Sequence, residues 1–364
     1  MRIIAHLDMD AYFAAIEERD NPEFAGLPIV VGADPKNGMG RGVVSTANYC
    51  ARHYGIHSAM PISKAWRLAY AAAKRGGPKT IFLPVSMDKY LEVSDKIIGI
   101  VQNNTSIFEQ TSIDEAYLDL SSQCQEKNII GGWEKAIEII KTIKKEIWEN
   151  EHLTASVGIG PNKLIAKLIS AKFKPDGLKA VRSDEINSFL DPLPVGDIPG
   201  IGPKTEEFLH RQKIFKVSDL KKISYEQLVS WFGKWGSDIY QKVRGEDYSK
   251  VSNDREVKSI SEQETFEKDT LEASFLIGRL EAMAKRVIKR LHGEKIKGFK
   301  TVTLTVRFFD FETKSKAHTL KSVADSFDIL KIESLKLLLP FLDRRANPRL
   351  KPIRLIGVGV ENFN

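Results

Sequence analysis

Four carboxylates stand out by position in this 364-residue chain. Asp8 and Asp10, in RIIAHLDMD (residues 2–10), are two apart and so share one face of a short strand. Asp114 and Glu115, in TSIDEAYLDL, come just before an alternating apolar run. There Ala116, Leu118 and Leu120 would share one face, with Tyr117 and Asp119 on the other. Alone, such an Asp-Glu pair reads as a solvated turn, since turns favour Asp and surfaces favour Glu. If the two strands are neighbours in one sheet, the same residues make an oxygen-only site for hard divalent ions, which keep positions open for water and phosphate. Two such ions about 3.5–4 Å apart can activate an attacking oxygen and stabilise a leaving one. Adjacent Asp and Glu point apart in a regular strand. Both reach one site only where the backbone turns, and S-I-D-E precedes the regular alternation.

Other segments carry residues with both plain and chemical readings. STANYCAR holds Thr46, Tyr49 and Arg52, and PNKLIAK holds Lys163. In isolation the tyrosine is a packed aromatic and the cations are solvated charges. Phe13, on a helix after LDMDAY, reads as core. GADPKNGMGRG is glycine-rich but lacks the G-K-[ST] ending of a phosphate-binding P-loop and lies between strands. IPGIGPKTEEFL (198–209) is more specific. Gly200 and Gly202 allow a tight turn whose backbone N–H groups can meet a phosphate oxygen, Ile198 and Ile201 would anchor it, and Lys204 adds charge, a sequence-blind grip on DNA.

The elements that must position these residues follow from periodicity and punctuation. A strand over 2–10 leads into a helix from Ala11, and LPIVVGA and RGVVSTANY are strands flanking the glycine-rich loop. Helical patterns run from Pro61 to Leu68 and from Met87 to Val101, the latter with apolar Leu91, Val93, Ile97, Ile98 and Val101. After the strand following Glu115 come an amphipathic helix from Trp133 to Trp148, the strand TASVGIG, and a helix begun by Pro161. This mixed region is expected to end near Pro175. Residues 176–244 read as compact and helical, followed by a polar linker. The remainder reads strand, helix, strand, strand, helix, strand, the order of a split βαβ sandwich. The fold class is therefore α+β, in several domains, as the length demands.

Composition narrows the functional classes. Two cysteines, Cys50 and Cys124, make neither a disulfide framework nor a zinc motif. MRIIAHLDMD is no signal peptide, and no apolar run reaches the ~18–20 residues of a membrane span, so a cytoplasmic protein with no membrane partner is expected. Net charge is +7, and residues 254–364 hold 22 Lys and Arg against 16 Asp and Glu, which makes that end the expected backbone-gripping module.

HLDMDAYFAAIEE, VVSTANYCARHYGI, SIDEAYLDL, VGIGPNKLIAK and IPGIGPKTEEFL, in this order, resemble the Y-family DNA polymerases, and most closely their DinB or DNA polymerase IV branch. The resemblance implies a right-hand polymerase: a palm from residues 1–11 and 87–175, small fingers from 12–86, and a helical thumb with a helix-hairpin-helix from 176–243. A linker at 244–253 and a C-terminal little finger at 254–364 complete it. The implied activity is template-directed addition of dNTPs to a primer 3′-hydroxyl, with low fidelity, lesion bypass and no proofreading. The implied metal ligands are Asp8, Asp114, Glu115 and the Met9 carbonyl, holding two Mg²⁺ for which Mn²⁺ can substitute. Asp10 has the weaker claim and is at least as well suited to a structural hydrogen-bonding role. Thr46, Tyr49, Arg52 and Lys163 become the triphosphate clamp, as suits hydroxyls, a guanidinium and an ammonium. Phe13 becomes the steric gate under the sugar, and Gly200, Gly202 and Lys204 contact DNA. The implied partners of this monomer are primer-template DNA, dNTP and the sliding clamp, although VENFN carries no glutamine-and-aromatic clamp peptide. An inactive DNA-binding scaffold of the same fold would require a lost carboxylate or a lost Lys163, and a nucleotidyl cyclase would leave the hairpin motif unexplained.

Overall fold

The computed structural model describes residues 2–125, 129–253 and 256–363. They form two compact units, Met1–Asp254 and Arg255–Asn364. Asp254, the expected first residue of the little finger, lies outside the described residues.

In the first unit the chain runs β1 (Ile4–Met9), α1 (Tyr12–Asp20), β2 (Ile29–Gly32), β3 (Val44–Ala47), α2 (Tyr49–Arg52), α3 (Ile62–Lys74), β4 (Ile81–Leu83) and α4 (Met87–Asn104). It continues with β5 (Phe108–Gln110), β6 (Glu115–Asp119), α5 (Ile129–Glu151), β7 (Ala155–Gly160), α6 (Lys163–Lys172) and β8 (Leu178–Ala180). A five-stranded sheet has the order β5-β6-β1-β7-β8, with β1 antiparallel to both neighbours. Alternation along β1 sends Ala5, Leu7 and Met9 into a core with Tyr90, Val93, Ile97 and Val101 of α4 and with Ala136, Ile140, Ile143 and Ile147 of α5. The opposite face carries Ile4, His6 and Asp8 toward α6. Leu91, counted in the apolar stripe of α4, is instead 41% exposed, because the buried stripe is set by Tyr90 and its neighbours at helical spacing. The first helix begins one residue later than expected, because Ala11 has left-handed backbone (φ 46°).

Close approach of α6 to the sheet depends on Gly158. A Cβ there would stand 2.1 Å from the Ala166 carbonyl oxygen, so any larger residue would push the helix off the strand. The sheet also reaches further along the chain than Pro175, since β8 pairs in parallel with β7. Strands β4, β5 and β8 have three residues each, too few for an alternating pattern to show.

The three-stranded sheet β3-β2-β4 is covered by α3 through Ile62, Ala65 and Ala69. Asn48 joins its parts: its Oδ1 accepts from the Ile29 and Ala51 amides and its Nδ2 donates to Leu27 O. Helices α7 (Ile186–Leu190), α8 (Pro203–Arg211), α9 (Val217–Leu220), α10 (Tyr225–Phe232) and α11 (Lys234–Val243) close around a core that includes Ile198, Ile201 and Leu209 and is shared with Leu164, Ile165, Leu168 and Ile169 of α6.

The second unit runs β9 (Ser259–Thr270), α12 (Ala273–Gly293), β10 (Phe299–Phe308), β11 (Thr313–Ala324), α13 (Phe327–Leu342) and β12 (Ile353–Phe363). Its sheet order is β11-β10-β12-β9, each pair antiparallel. Strands β9 and β10 thus run the same way with β12 between them, the expected split βαβ. Val302, Leu304 and Val306 of β10 face the helices, while Thr303 and Thr305 face the other way.

Candidate active site

Asp8 and Glu115 are direct cross-strand partners in the antiparallel β1–β6 pair. One residue further on, the Met9 amide donates to the Asp114 carbonyl at 2.9 Å, so all three acidic side chains belong to one end of the sheet. Like charges directly opposite are destabilising. The chain offsets this with α6 and the residues just after it, where Lys163, Lys167, Ser170 and Lys174 recur at helical spacing on the side facing the sheet. Lys163 Nζ donates to both carboxylate oxygens of Glu109 (2.8 and 2.7 Å) and lies 4.6 Å from the Tyr117 ring centroid. Lys167 Nζ donates to Glu115 Oε2 at 2.7 Å. Ser170 Oγ is 2.6 Å from His6 Nδ1. Lys174 Nζ donates to Asp8 Oδ1 and, at 3.2 Å, to Met9 O. Glu109, Lys167, Lys174 and His6 were not singled out from sequence. The detectable signal was the polar stripe 163/167/170/174, whose first three members sit on a helix apolar elsewhere as far as Ala171.

Burial pushes the Asp8 carboxyl up to about 6, against the pull of Lys174, and Glu115 and Asp114 raise it further. His6, its Nε2 3.6 Å from Glu115 Oε2, and the Lys167 ammonium hold Glu115 down at about 2. Burial lowers the pKa of His6, against the pull of the neighbouring Glu115 carboxylate. Asp114 is half-buried and accepts from Ser112 Oγ at 2.5 Å.

Asp10 is engaged structurally. Its carboxylate accepts from Ser156 Oγ (2.8 Å), Thr154 Oγ1 (2.9 Å), the Asp176 amide (2.8 Å) and the Tyr49 hydroxyl (3.3 Å). Tyr49, whose pKa is raised by burial and by Asp10, therefore ties the three-stranded sheet to the five-stranded one. The Arg52 guanidinium lies 4.8 Å from the Tyr49 ring centroid, and its Nε donates to Ala47 O. Thr46 lies half-buried on β3 beside them. Tyr12 points inward, its hydroxyl donating to Tyr90 O. Phe13 is half-buried, stacked on Tyr90 with ring centroids 4.2 Å apart and planes 13° from parallel.

Comparison with known proteins fits this arrangement. Residues 7–171 match the impB/mucB/samB family, 257–364 its C-terminal domain, and 196–247 the DNA polymerase-iota thumb domain. "DNA polymerase IV 2" of Methanosarcina mazei is 41% identical over 362 residues, covering 99% of this chain and 92% of that relative. Among solved structures, a Y-family DNA polymerase chimera of Dbh and Dpo4 is similar with a TM-score of 0.82 at 29% identity, covering 99% of each chain. An insertion ternary complex of Dbh DNA polymerase is similar at 0.68, also at 29% identity and 99% of each chain. The chain belongs to the Y-family of DNA polymerases. It is a DNA-directed DNA polymerase of the low-fidelity, translesion kind, and nothing favours the inactive scaffold.

Y-family polymerases are divalent-metal dependent, and the donors here suit such ions in kind, being all oxygen. The Lys174 ammonium gives a geometric test: Asp8 Oδ1 and Met9 O already converge on one cationic atom. Among the described residues no three His, Cys, Asp or Glu groups form a ready cluster for a metal ion, since Glu115 and Asp8 are taken up by lysines and Asp114 by Ser112. In the polymerase's helical part, Gly200 (φ 102°) turns the chain against Trp235, where a Cβ would be 2.0 Å from a ring carbon. Gly202 caps α8, a Cβ there would meet nothing within 4 Å, and Lys204 is exposed beside it.

Proposed function

We propose that Asp8, Asp114 and Glu115, with the Met9 carbonyl, are the metal ligands of the polymerase reaction. When bound, two Mg²⁺, or Mn²⁺ in their place, supply activation of the primer 3′-hydroxyl and neutralise charge developing toward pyrophosphate. The protein's part is to hold its oxygens on a rigid sheet end and to bind the nucleotide around them. Lys163, leaving Glu109, and Arg52 attract the triphosphate, Thr46 donates a hydroxyl hydrogen bond to it, Tyr49 does so by turning its hydroxyl from Asp10, and Phe13 closes the space a ribose 2′-hydroxyl would need. Gly200, Gly202 and Lys204 present backbone amides and charge to a DNA phosphate. The observation that carries this reading is the pairing of Asp8 opposite Glu115, with Met9 bonded to Asp114.

On this reading the palm is 1–11 and 87–175, the fingers 12–86, the thumb 176–243, the linker 244–253 and the little finger 254–364, with β8 of the thumb segment adding an edge strand to the palm sheet. Primer-template DNA and dNTP are the substrates, the protein acts as a monomer in the cytoplasm, and the sliding clamp is its processivity partner. Among the described residues no helix is long and apolar enough to cross a membrane. Primer extension with chelation and add-back of Mg²⁺ or Mn²⁺, comparing wild type with Asp8→Asn and Asp114→Asn, tests the assignment. Extension by either variant at the wild-type rate would remove that residue from the ligand set.

A further inference from the structure

Charge in the small three-stranded part is distributed unlike the rest of the chain. Between Asp34 and Asp88 there is no Asp or Glu, whereas Lys36, Arg41, Arg52, Lys64, Arg67, Lys74, Arg75 and Lys79 fall in that interval. Of these, Lys64, Arg67, Lys74, Arg75 and Lys79 make no ion pair among the described residues. Elsewhere surface lysines do have carboxylate partners, as Lys96 with Glu92 and Lys331 with Glu281.

The same surface exposes flat and apolar groups. On α3, Trp66, Tyr70 and Lys74 follow one another at four-residue spacing. The Trp66 and Tyr70 rings stack 5.1 Å apart at 9°, and Lys74 Nζ is 4.7 Å from the Tyr70 centroid. Tyr70 is 49% exposed. The loop between β2 and β3 packs on this stripe through Gly38, which abuts the Trp66 ring, and holds Met39 at 82% exposure beside it. A stripe that only stiffened α3 would need neither an unbalanced positive field nor an exposed methionine next to it.

We propose that the outer face of α3 and the adjoining loop seat the single-stranded template ahead of the base being copied. Unpaired DNA offers what this surface lacks: phosphates for the unpaired cations and apolar base faces for Tyr70 and Met39. The inference rests on the reading of Thr46, Tyr49 and Arg52 as the triphosphate clamp. That reading puts the templating base against the same small unit, and beyond that base the template has no partner strand. Lys74 is the mobile member, able to leave the Tyr70 face for a phosphate while a base takes its place on the ring.

The test is fluorescence anisotropy of the full chain with a primer-template carrying a twelve-nucleotide 5′ template overhang and with the same duplex flush-ended, over a salt series. The overhang should raise affinity by about tenfold or more. The triple variant Lys64→Gln, Arg67→Gln, Lys74→Gln should lose that increment and lower the salt slope on the overhang substrate by about 2, at roughly 0.7 per phosphate. Tyr70→Ala should lose about fivefold or more on the overhang alone, and Tyr70→Phe should keep it. All three variants should bind flush duplex and melt as wild type does. Equal overhang increments in wild type and variants would overturn the proposal, as would equal losses on flush duplex. The clamp is tested apart from this by Arg52→Ala, whose KM for dNTP should rise; a normal KM would overturn the clamp and leave the anisotropy result to stand by itself.

Discussion

Asp8 and Glu115 face each other across β1 and β6, and each is held by a different lysine from one stripe, Lys174 and Lys167. Two carboxylates of one site are thus pulled in opposite directions, Asp8 toward its protonated form by burial and Glu115 toward its ionised form by His6 and Lys167.

Glu115→Gln keeps the shape and removes one charge from the rim. Losing several kcal/mol of charge stabilisation in the transition state corresponds to a fall in extension rate of roughly a thousandfold. Primer-template affinity should stay within about twofold, since phosphate contacts elsewhere supply most of the grip. Single-turnover extension and anisotropy measure the two separately, and near wild-type extension would remove Glu115 from the chemistry.

The raised Asp8 pKa makes a pH prediction. Its folded value, about 6, lies above the ordinary 3.8, so the stability it contributes is fully present below 3.8 and is lost as pH rises through about 6. The loss is on the order of 2–3 kcal/mol. In chelator, wild type should therefore lose stability relative to Asp8→Asn between about pH 4 and pH 7. Glu115, lowered, titrates in the opposite sense below its ordinary 4.5 and cancels in the comparison. Parallel stability profiles for the two proteins would show that Asp8 is not strained by burial.

Lys174→Gln removes the cation shared by Asp8 and Met9. Breaking a largely buried pair costs up to about 3–5 kcal/mol, and less here because Lys174 is partly exposed. The variant should melt several degrees lower in chelator and recover more than wild type on adding Mn²⁺, which can take the same two oxygens. Equal Mn²⁺ stabilisation of both proteins would refute that sharing.

Gly200→Ala and Gly202→Ala should separate folding from DNA contact. The first forces a positive φ on alanine and a clash with Trp235, so melting should fall by several degrees for roughly 1–3 kcal/mol of strain. The second meets open space and should leave melting unchanged. Its added methyl, set where a phosphate would approach, should weaken duplex binding about tenfold, the worth of one hydrogen bond to a charged group. Unchanged binding by Gly202→Ala would take the hairpin out of the DNA interface.

Phe13→Ala distinguishes a gate from a core residue. The ring is half-buried and stacked on Tyr90, so truncation should cost about 1–3 kcal/mol and leave a folded enzyme. Insertion of rCTP opposite template G should rise by orders of magnitude while dCTP insertion falls much less. A folded, active variant with unchanged sugar preference would refute the gate.

What could be read from the sequence follows from the range of each signal. The placing of Asp8, Asp114 and Glu115 at strand ends was legible because period-two alternation is local, whereas the role expected of them came from the resemblance to the Y-family; the split βαβ of the second unit was legible because its elements are long. Strands β4, β5 and β8 were not, since three residues show no period. The roles of Lys167 and Lys174 depend on Gly158 letting α6 settle onto β7, a packing fact that no window of sequence contains. The positive field of residues 35–87 does not show in the net charge of the chain, because carboxylates elsewhere in the first unit cancel it.

The four-point match between α6 and the sheet also determines which changes the gene can tolerate. A substitution at Lys163, Lys167, Ser170 or Lys174 disturbs one contact and leaves the other three in place. Inserting or deleting a single residue within 164–173 rotates everything downstream by about 100° and shifts it by about 1.5 Å, so several contacts come out of phase at once. The polar stripe should accept a single substitution far more readily than the stretch accepts any change in length, the reverse of what a surface loop accepts.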